Sequence, residues 1–309
     1  MTTLERFRTS RFHAHGYHFA ITSADEELVA EFNELLVDMR ADEPPRDPDS
    51  DSATDVIHID ELATDDDGQR WYRVTGPQRV HYERLWEGSM ISHTLIAVNH
   101  AAAMRCQEHG AVPIHGGAAA LDGRAVVLPG HSESGKTTLS TALGTRPGWA
   151  YVADEVCRLS PDHLTIAPYG KPVALRRRSV ALLADVIDRL GRDGSRLEQD
   201  ERFVPPSELR GSASAPPSAE QPVALIVFPR VDTEQASKIE PVSPARALEL
   251  LTQNTLGGTP STRTLTRWEQ QRRVAAFAAL DRLVRQAPAY ELAMSDLDAA
   301  CHLVEEAVG

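Results

Sequence analysis

The sequence predicts an α/β protein with a mixed sheet, and three observations lead to this prediction. The apolar run RAVVLPG (Arg124–Gly130) is typical of a short buried strand, and a glycine-containing loop joins it to the helical segment KTTLSTALG (Lys136–Gly144). Asp122-Gly123 lies between two apolar runs and signals a two-residue hairpin, so the preceding strand pairs antiparallel with Arg124–Gly130. The apolar strand Pro222–Val231 and several helices follow, and a sheet covered by helices would bury their apolar faces.

Length, charge and cysteine content exclude several classes of protein. The 309 residues suffice for one large domain or two modest ones. A formal net charge of −13 argues against a nucleic-acid-binding surface. No apolar stretch is long enough to span a membrane, and the first residues lack the apolar segment of a signal peptide. Three scattered cysteines fit buried thiols, so we expect a cytoplasmic protein that binds neither nucleic acid nor membrane.

Residues 1–89 are predicted to form a smaller α+β region, and residues 90–309 the larger domain. The pattern in the first region indicates a strand, a helix and two strands around an acidic turn: His15–Ser23, Ala24–Arg40, Val56–Asp60 and Gln69–Gly76. Between Ala41 and Gly68 stand eleven carboxylates and one arginine. A metal site or a surface for a basic partner would explain them, but a solvated acidic loop is the favoured interpretation.

The larger region shows an ordered series of helices and strands. Ser243 is the predicted N-cap of one helix, with Pro244 at its first position. A segment rich in serine, alanine and proline, Ser207–Pro222, is predicted to be a surface loop. The predicted elements in chain order are Ile91–Gly110 (helix), Pro113–Gly130 (hairpin), Lys136–Gly144 (helix), Trp149–Leu159 (strand), Ala167–Gly191 (turn and helix), Pro222–Val231 (strand), Ser243–Thr255 (helix), Arg267–Ala287 (helix) and Pro288–Val308 (strand, turn and helix).

The segment LPGHSESGKTTLSTAL (Leu128–Leu143) matches the P-loop pattern G-x-x-x-x-G-K-[ST]. Glycines let the backbone curl so that several N–H groups point at an anion, and the helix that follows offers further N–H groups and its positive dipole end. Lys136, expected as an exposed ligand, would reach the β- and γ-phosphates, and the Thr137 hydroxyl would hold Mg²⁺. The residues expected around the phosphates of ATP are Gly130, His131, Ser132, Glu133, Ser134, Gly135, Lys136, Thr137 and Thr138.

Two acids and a histidine are the candidate partners of this loop. Asp154 and Glu155 end an apolar strand 18 residues after Lys136, where one acid could bind the metal and the other accept a proton. His115 lies on the strand that the hairpin folds against the loop strand. We expect it to orient or tune the nearby acid, and Gly116 and Gly117 to leave room for close approach of a ligand or of backbone.

The segment IHGGAAALDGRAVVLPGHSESGKTTLSTAL, with YVADEV after it, resembles the bacterial HPr serine kinase/phosphorylase family, and more closely its shorter HPr-kinase-like relatives. The resemblance covers roughly Pro113–Leu159. It implies a P-loop core like the catalytic domain of phosphoenolpyruvate carboxykinase, with Asp154 as the base that deprotonates an acceptor serine and Glu155 as a metal ligand. His115 and Gly116 match the His-Gly element of the family. Glu133 departs from it, because the family has glycine there.

The expected activity is therefore that of a cytoplasmic kinase that uses Mg²⁺ and ATP. Its acceptor would be a hydroxyl, most plausibly a serine of a peptide or small protein, while the formation of a homo-oligomer is left open. A regulatory nucleotide-binding module with weak hydrolysis and a small-molecule kinase are the alternatives. Lys171 and Arg176 are further candidates for contacts with phosphate or substrate, since guanidinium groups suit phosphate and cations are poorly placed at a helix start.

Overall fold

The structure, a computed structural model, describes residues 5–41, 54–76, 81–184, 197–198, 201–209, 219–256 and 266–309. Their strands are numbered in chain order: β1 Phe7–Arg8, β2 Phe12–Ala14, β3 Tyr17–Ser23, β4 Asp55–Thr64, β5 Arg70–Thr75, β6 His81–Trp86, β7 Val112–Ile114, β8 Gly116–Leu121, β9 Arg124–Pro129, β10 Trp149–Asp154, β11 Cys157–Ser160, β12 Thr165–Ala167, β13 Val173–Arg176, β14 Leu197–Glu198, β15 Glu201–Val204, β16 Gln221–Val231, β17 Lys238–Pro241 and β18 Ala289–Met294. The α-helices are α1 Glu26–Leu35, α2 Glu87–Glu108, α3 Lys136–Gly144, α4 Arg177–Leu182, α5 Pro244–Gln253, α6 Arg267–Gln286 and α7 Leu297–Val308. None of these helices is both long and apolar enough to cross a membrane.

The larger sheet contains nine strands of mixed direction. Its main path runs β10-β8-β9-β16-β18-β17, and β12, β11 and β7 continue from the first residues of β16. The long central strand β16 pairs parallel with both β9 and β18, whereas β8 pairs antiparallel with β9 and β10. The predicted α/β class with a mixed sheet is confirmed at this level.

The hairpin β8–β9 has the predicted two-residue turn. Leu121 pairs with Arg124, and the residues between them, Asp122 and Gly123, have φ values of 49° and 77°. Two positive φ values in succession are typical of the type I′ turn, whose twist matches that of the flanking strands. The pairing continues to Gly116 and Pro129, so the end of β9 lies beside the start of β8.

The first six strands form a second sheet, in the order β1-β3-β4-β5-β6 with β2 on β3. Asp25 caps helix α1, since its carboxylate accepts the Leu28 N–H at 3.1 Å. A single hydrophobic cluster joins this region to the larger sheet, because Phe19 and Val98 belong to the same buried cluster as Ile226. The predicted boundary at residue 89 falls inside helix α2 and remains a prediction about folding units.

Several predicted elements differ in detail from the observed ones. The strand predicted over Trp149–Leu159 is two strands, because Glu155 has φ +68° and turns the chain between β10 and β11. The strand predicted over His15–Ser23 begins at Tyr17, since His15 has φ +50° in the turn before β3. Helix α1 ends at Leu35, and a 3₁₀ turn follows it.

Other predicted segments are shorter than expected or lie outside the described residues. The helix predicted after Arg176 is observed as the short α4, and residues 185–191 of that prediction lie outside the described part of the chain. The same is true of residues 42–53 of the acidic segment and of residues 210–218 of the predicted surface loop. The strands that the sequence analysis does not predict are β1, β2, β6, β12, β13, β14, β15 and β17.

Candidate functional site

The loop between β9 and α3, called here the glycine-rich loop (residues 130–135), has two residues with left-handed backbone. Gly135 has φ +91°, and a Cβ atom there would lie 2.4 Å from Met294 Cε. The conformation therefore favours glycine, and a Cβ atom would also require the end of the Met294 side chain to move. Helix α3 starts at the next residue, so its first N–H groups have no helical partner and face the end of the loop.

A cavity of about 630 Å³ lies in front of this loop and is called here the loop cavity. It is bounded by the glycine-rich loop, the start of α3, the β13–α4 segment and the connection from β18 to α7. The predicted site residues that line it are Ser132, Glu133, Gly135, Lys136, Thr137, Thr138, Glu155 and Arg176. Residues that the sequence reading missed also line it, among them Arg178, Ser179, Glu201, Met294 and Asp296, and no local pattern marks them.

Thr137 and Asp154 connect the loop helix to the end of strand β10. The Thr137 hydroxyl donates to Asp154 Oδ1 at 3.0 Å, while Asp154 Oδ2 is buried and has no hydrogen-bond partner within the described residues. Asp154 is only 1% exposed, and Lys171 Nζ lies 3.9 Å from its Oδ2. Burial and then the charge of Glu155 raise the pKa of Asp154, whereas Lys171 and Lys136 act against this rise.

Glu155 occupies the turn after β10 and holds two basic groups. Its Oε2 lies 3.0 Å from His115 Nε2, and its Oε1 lies 3.8 Å from Lys136 Nζ. Burial alone would raise the pKa of Glu155, but the His115 hydrogen bond and the charges of Lys171 and Lys136 outweigh burial and lower that pKa to about 2. Glu155 is therefore a carboxylate at neutral pH.

His115 lies between β7 and β8, beside the start of the glycine-rich loop. Its carbonyl accepts the Gly130 N–H at 3.2 Å, and its own N–H donates to the Asn254 carbonyl at 2.7 Å. The tight hairpin thus brings His115 to the loop end, as the sequence predicted. Gly116 and Gly117 allow the close approach of other protein atoms, as one of the two predicted alternatives has it: a Cβ atom at Gly116 would lie 2.9 Å from the Leu128 carbonyl oxygen, and one at Gly117 would lie 2.8 Å from Ser140 Oγ of α3.

The backbone of Glu133 has a conformation that is uncommon for a residue other than glycine. It has φ +69°, the left-handed region that favours glycine, and its side chain is 78% exposed. Its Oε1 accepts a hydrogen bond from Arg176 Nη1 at 2.8 Å, and Arg176 Nε lies 3.5 Å from Glu201 Oε1. Arg176 therefore reaches the cavity with two acidic partners.

Several predicted site residues are placed differently from the expectation, and Gly130, Ser134 and Asp154 do not line the loop cavity. Lys171, 2% exposed, lies behind Asp154 and does not line the loop cavity. Lys136, expected to be exposed, is only 5% exposed, although it lines the loop cavity and its Nζ lies near Glu155. His131 is exposed, but it does not line the loop cavity.

A second cavity, of about 260 Å³, adjoins the same acid and is called here the α2 cavity. One face of α2 forms one wall, and His115, Glu155, Val156 and Leu256 form the other. Glu155 lines both cavities, so its side chain is part of the wall of each. The sequence reading missed this cavity because its two walls lie far apart in the chain.

One residue of the first region, His15, packs against the segment that follows Glu155. His15 is buried, its Nε2 lies 3.1 Å from the Val156 carbonyl, and its ring centroid lies 4.5 Å from that of Tyr169. Burial lowers the pKa of His15 to about 3, although the bond to Val156 acts in the opposite direction. This histidine therefore stays neutral in the folded protein at neutral pH.

Two oxygen-bearing side chains near the loop, Thr137 in the cavity wall and the buried Asp154 bonded to it, are of the kind that holds a hard cation. Mg²⁺ is usually held by one or two carboxylates together with substrate phosphates, and the Thr137 hydroxyl and Asp154 carboxylate supply such oxygens. No group of three or more His, Cys, Asp or Glu side chains in the described part of the chain could hold a metal ion by itself. Neither the protein-family models nor the curated proteins searched match the chain.

Proposed function

We propose that the chain is a Mg-ATP-dependent kinase that transfers the γ-phosphate to a hydroxyl, with a serine of a peptide or small protein as the acceptor. The proposal includes a P-loop core of the phosphoenolpyruvate-carboxykinase type. The observation that carries it is the hydrogen bond from Thr137 to Asp154, because it joins the helix start after the glycine-rich loop to the acid at the end of a neighbouring strand. P-loop NTPases hold Mg²⁺ with this pair of residue types.

The residues present fit Mg²⁺ and a nucleotide phosphate. Asp154 Oδ2 is a buried acceptor without a hydrogen-bond partner in the described residues, next to the Thr137 hydroxyl. Thr137 and Asp154 would hold the ion, and the loop amides with Lys136 would hold the phosphates. The ion, when bound, would neutralise charge on the β- and γ-phosphates.

The geometry supports roles for the two acids that differ from those that the family resemblance implies, with Asp154 at the metal and His115 as the base. Asp154 is buried and bonded to Thr137, so it suits the metal side better than the role of base. His115 and Glu155 form a pair at the wall between the two cavities. In this proposal His115 takes the proton of the acceptor hydroxyl, while Glu155 orients the imidazole and stabilises the imidazolium that forms.

The proposal is tested with Asp154→Asn, His115→Asn and Glu155→Gln, and with Glu249→Gln on the exposed face of α5 as the control. Calorimetry measures ATP affinity with and without Mg²⁺, and labelled ATP with a degenerate library of serine peptides measures transfer. We expect Asp154→Asn to abolish the Mg²⁺-dependent part of the affinity. His115→Asn and Glu155→Gln should bind Mg-ATP as the parent does, and His115→Asn should transfer phosphate about 10²–10⁴ times more slowly.

The opposite results would support the roles that the family resemblance implies, with Asp154 as the base and Glu155 as the metal ligand. Loss of turnover with intact Mg²⁺ dependence in Asp154→Asn, and loss of Mg²⁺ dependence in Glu155→Gln, would make Asp154 the base. A parent protein whose ATP affinity ignores Mg²⁺ and that transfers no phosphate would refute the kinase.

One observation favours a second candidate, a regulatory nucleotide-binding module with weak hydrolysis. Glu133 places a carboxylate and a left-handed backbone in the loop where the family has glycine, and it holds Arg176 in an ion pair. A parent protein that binds Mg-ATP without transfer, together with an active Glu133→Gly variant, would establish this candidate instead of the kinase.

A further inference from the structure

The α2 cavity is lined by one continuous face of a long helix. Six residues on α2 recur at helical spacing and share this face: Ile96, Asn99, His100, Ala103, Met104 and Gln107. They extend over about three turns, or roughly 16 Å. An extended chain rises about 3.3 Å per residue, so the face matches roughly five residues of a peptide.

The cavity is continuous with the proposed catalytic pair. His115 and Glu155 form part of its wall, and Glu155 is also part of the wall of the loop cavity. A ligand in the α2 cavity would therefore contact a residue that also borders the loop cavity. Phosphoryl transfer needs the attacking and leaving oxygens roughly in line, and an acceptor that enters from the α2 cavity must meet this requirement.

The chemistry of the wall suits an uncharged, partly aliphatic peptide. Ile96, which is 53% exposed, Ala103, Met104, Val156 and Leu256 supply apolar contacts. Glu155 is the single acidic residue among the lining residues, and no lysine or arginine is among them. An acidic side chain would thus find no lysine or arginine partner in this wall, whose basic residues are His100 and His115.

Two amides on the same face match the polar groups of a peptide backbone. Asn99 Oδ1 accepts the Tyr169 hydroxyl at 2.9 Å, and its amide nitrogen makes no hydrogen bond within the described residues. Gln107 Nε2 donates to the Leu256 carbonyl at 2.7 Å, which leaves its carbonyl oxygen as an acceptor. A donor and an acceptor two turns apart can bond an extended backbone at two points.

We propose that the α2 cavity binds the acceptor as an extended peptide, with the serine beside His115 and an aliphatic residue against Met104. This inference rests on the proposed kinase function and adds the place and the chemical class of the acceptor. The bond formed is between the serine oxygen and the γ-phosphorus, the bond broken is between that phosphorus and the bridging oxygen of ADP, and the serine proton passes to His115.

The test is a change of specificity rather than a loss of activity. A degenerate library of serine-centred peptides is phosphorylated with Mg-ATP by the parent protein, by Met104→Lys, and by Val274→Lys as a control. Val274 is a 70% exposed position on α6 that lines neither cavity. The parent and the control should select an aliphatic residue near the serine, and Met104→Lys should select Asp or Glu there by at least about tenfold.

A second readout needs no transfer. The best peptide, with its serine replaced by alanine, is titrated into each protein without nucleotide. Its affinity should fall at least about tenfold in Met104→Lys and stay within about twofold in Val274→Lys, while all three proteins bind ATP equally.

The outcomes separate this inference from the proposed function. If Met104→Lys phosphorylates peptides with the selection of the parent, the acceptor binds elsewhere and the kinase stands. A parent protein that binds Mg-ATP and labels no peptide overturns both the peptide acceptor and this role of the cavity. Absence of Mg-dependent ATP binding overturns the proposed function itself.

Discussion

Replacement of Glu133 by glycine and by alanine tests the geometry of the glycine-rich loop. Both variants remove the carboxylate that bonds Arg176, but the alanine variant keeps a Cβ atom at φ +69°. The left-handed conformation costs a residue with a Cβ atom about 1–2 kcal/mol. Glycine avoids this cost, but its greater conformational freedom in the unfolded chain lowers the free energy of unfolding by about 0.4–1 kcal/mol relative to alanine. The glycine variant should therefore exceed the alanine variant in free energy of unfolding by about 0.5–1 kcal/mol.

The lost ion pair contributes equally to both variants. Its two side chains are 52% and 78% exposed, so solvent screens the pair and its contribution is about 0–1 kcal/mol. Urea denaturation at low and high salt gives the two terms separately, because only the ion-pair term depends on salt. An alanine variant as stable as the glycine variant would show that the backbone at position 133 is unstrained.

The same two variants report on where the carboxylate points. Since it bonds Arg176, its removal should change ATP affinity by less than about tenfold, or about 1.4 kcal/mol. An increase of more than tenfold in both variants would place the carboxylate against the phosphates instead.

Three further changes test the site and its support. Lys136→Met fills the buried space of the side chain but removes its charge. Calorimetry should show a loss of ATP affinity of at least about tenfold, with little loss of stability. An unchanged ATP affinity would contradict the role of Lys136 as a phosphate ligand. The pKa of His15 is about 3 in the folded protein and 6.5 in the unfolded chain. The stability that depends on a neutral His15 is therefore fully present above pH 6.5 and is lost as the pH falls towards 3. Between about pH 7 and pH 4 the parent should lose about 3 kcal/mol more than His15→Asn in urea denaturation, and equal losses would contradict this pKa. Gly135→Ala should lower the free energy of unfolding by about 1–2 kcal/mol, and should lower it by nearly as much when both chains carry Met294→Ala, because the strained φ remains; no loss in the Met294→Ala background would show that the clash alone is responsible.

Features of the fold that depend on neighbouring residues in the chain could be predicted from the sequence. Asp122-Gly123 identified the hairpin, because few other pairs tolerate two positive φ values. Ser243 with Pro244 identified the start of α5, and the structure shows the expected cap, with the Ser243 hydroxyl accepting the Arg246 N–H. Each of these signals is a local preference of backbone or cap.

Features that depend on distant residues could not be predicted. Lys171 was a candidate for phosphate contact, but the fold buries it behind Asp154. The two acids Asp154 and Glu155 indicate the end of β10, but the separate strand β11 that follows could not be predicted, because no glycine marks the positive φ of Glu155. The α2 cavity needs Leu256 and α2 together, and only the tertiary fold brings them to one wall.

The peptide groups on both sides of His115 have a consequence for motion in the protein. One bonds the Asn254 carbonyl at the end of α5, and the other bonds the N–H of Gly130 where the glycine-rich loop begins. The end of a helix late in the chain is thus tethered through one residue to the loop. Opening of that helix end would expose the His115 amide to solvent and, at the same time, make the glycine-rich loop more mobile. Amide hydrogen exchange at positions 115 and 130 should therefore follow a common opening reaction, and a ligand that orders the loop should slow exchange at the end of α5.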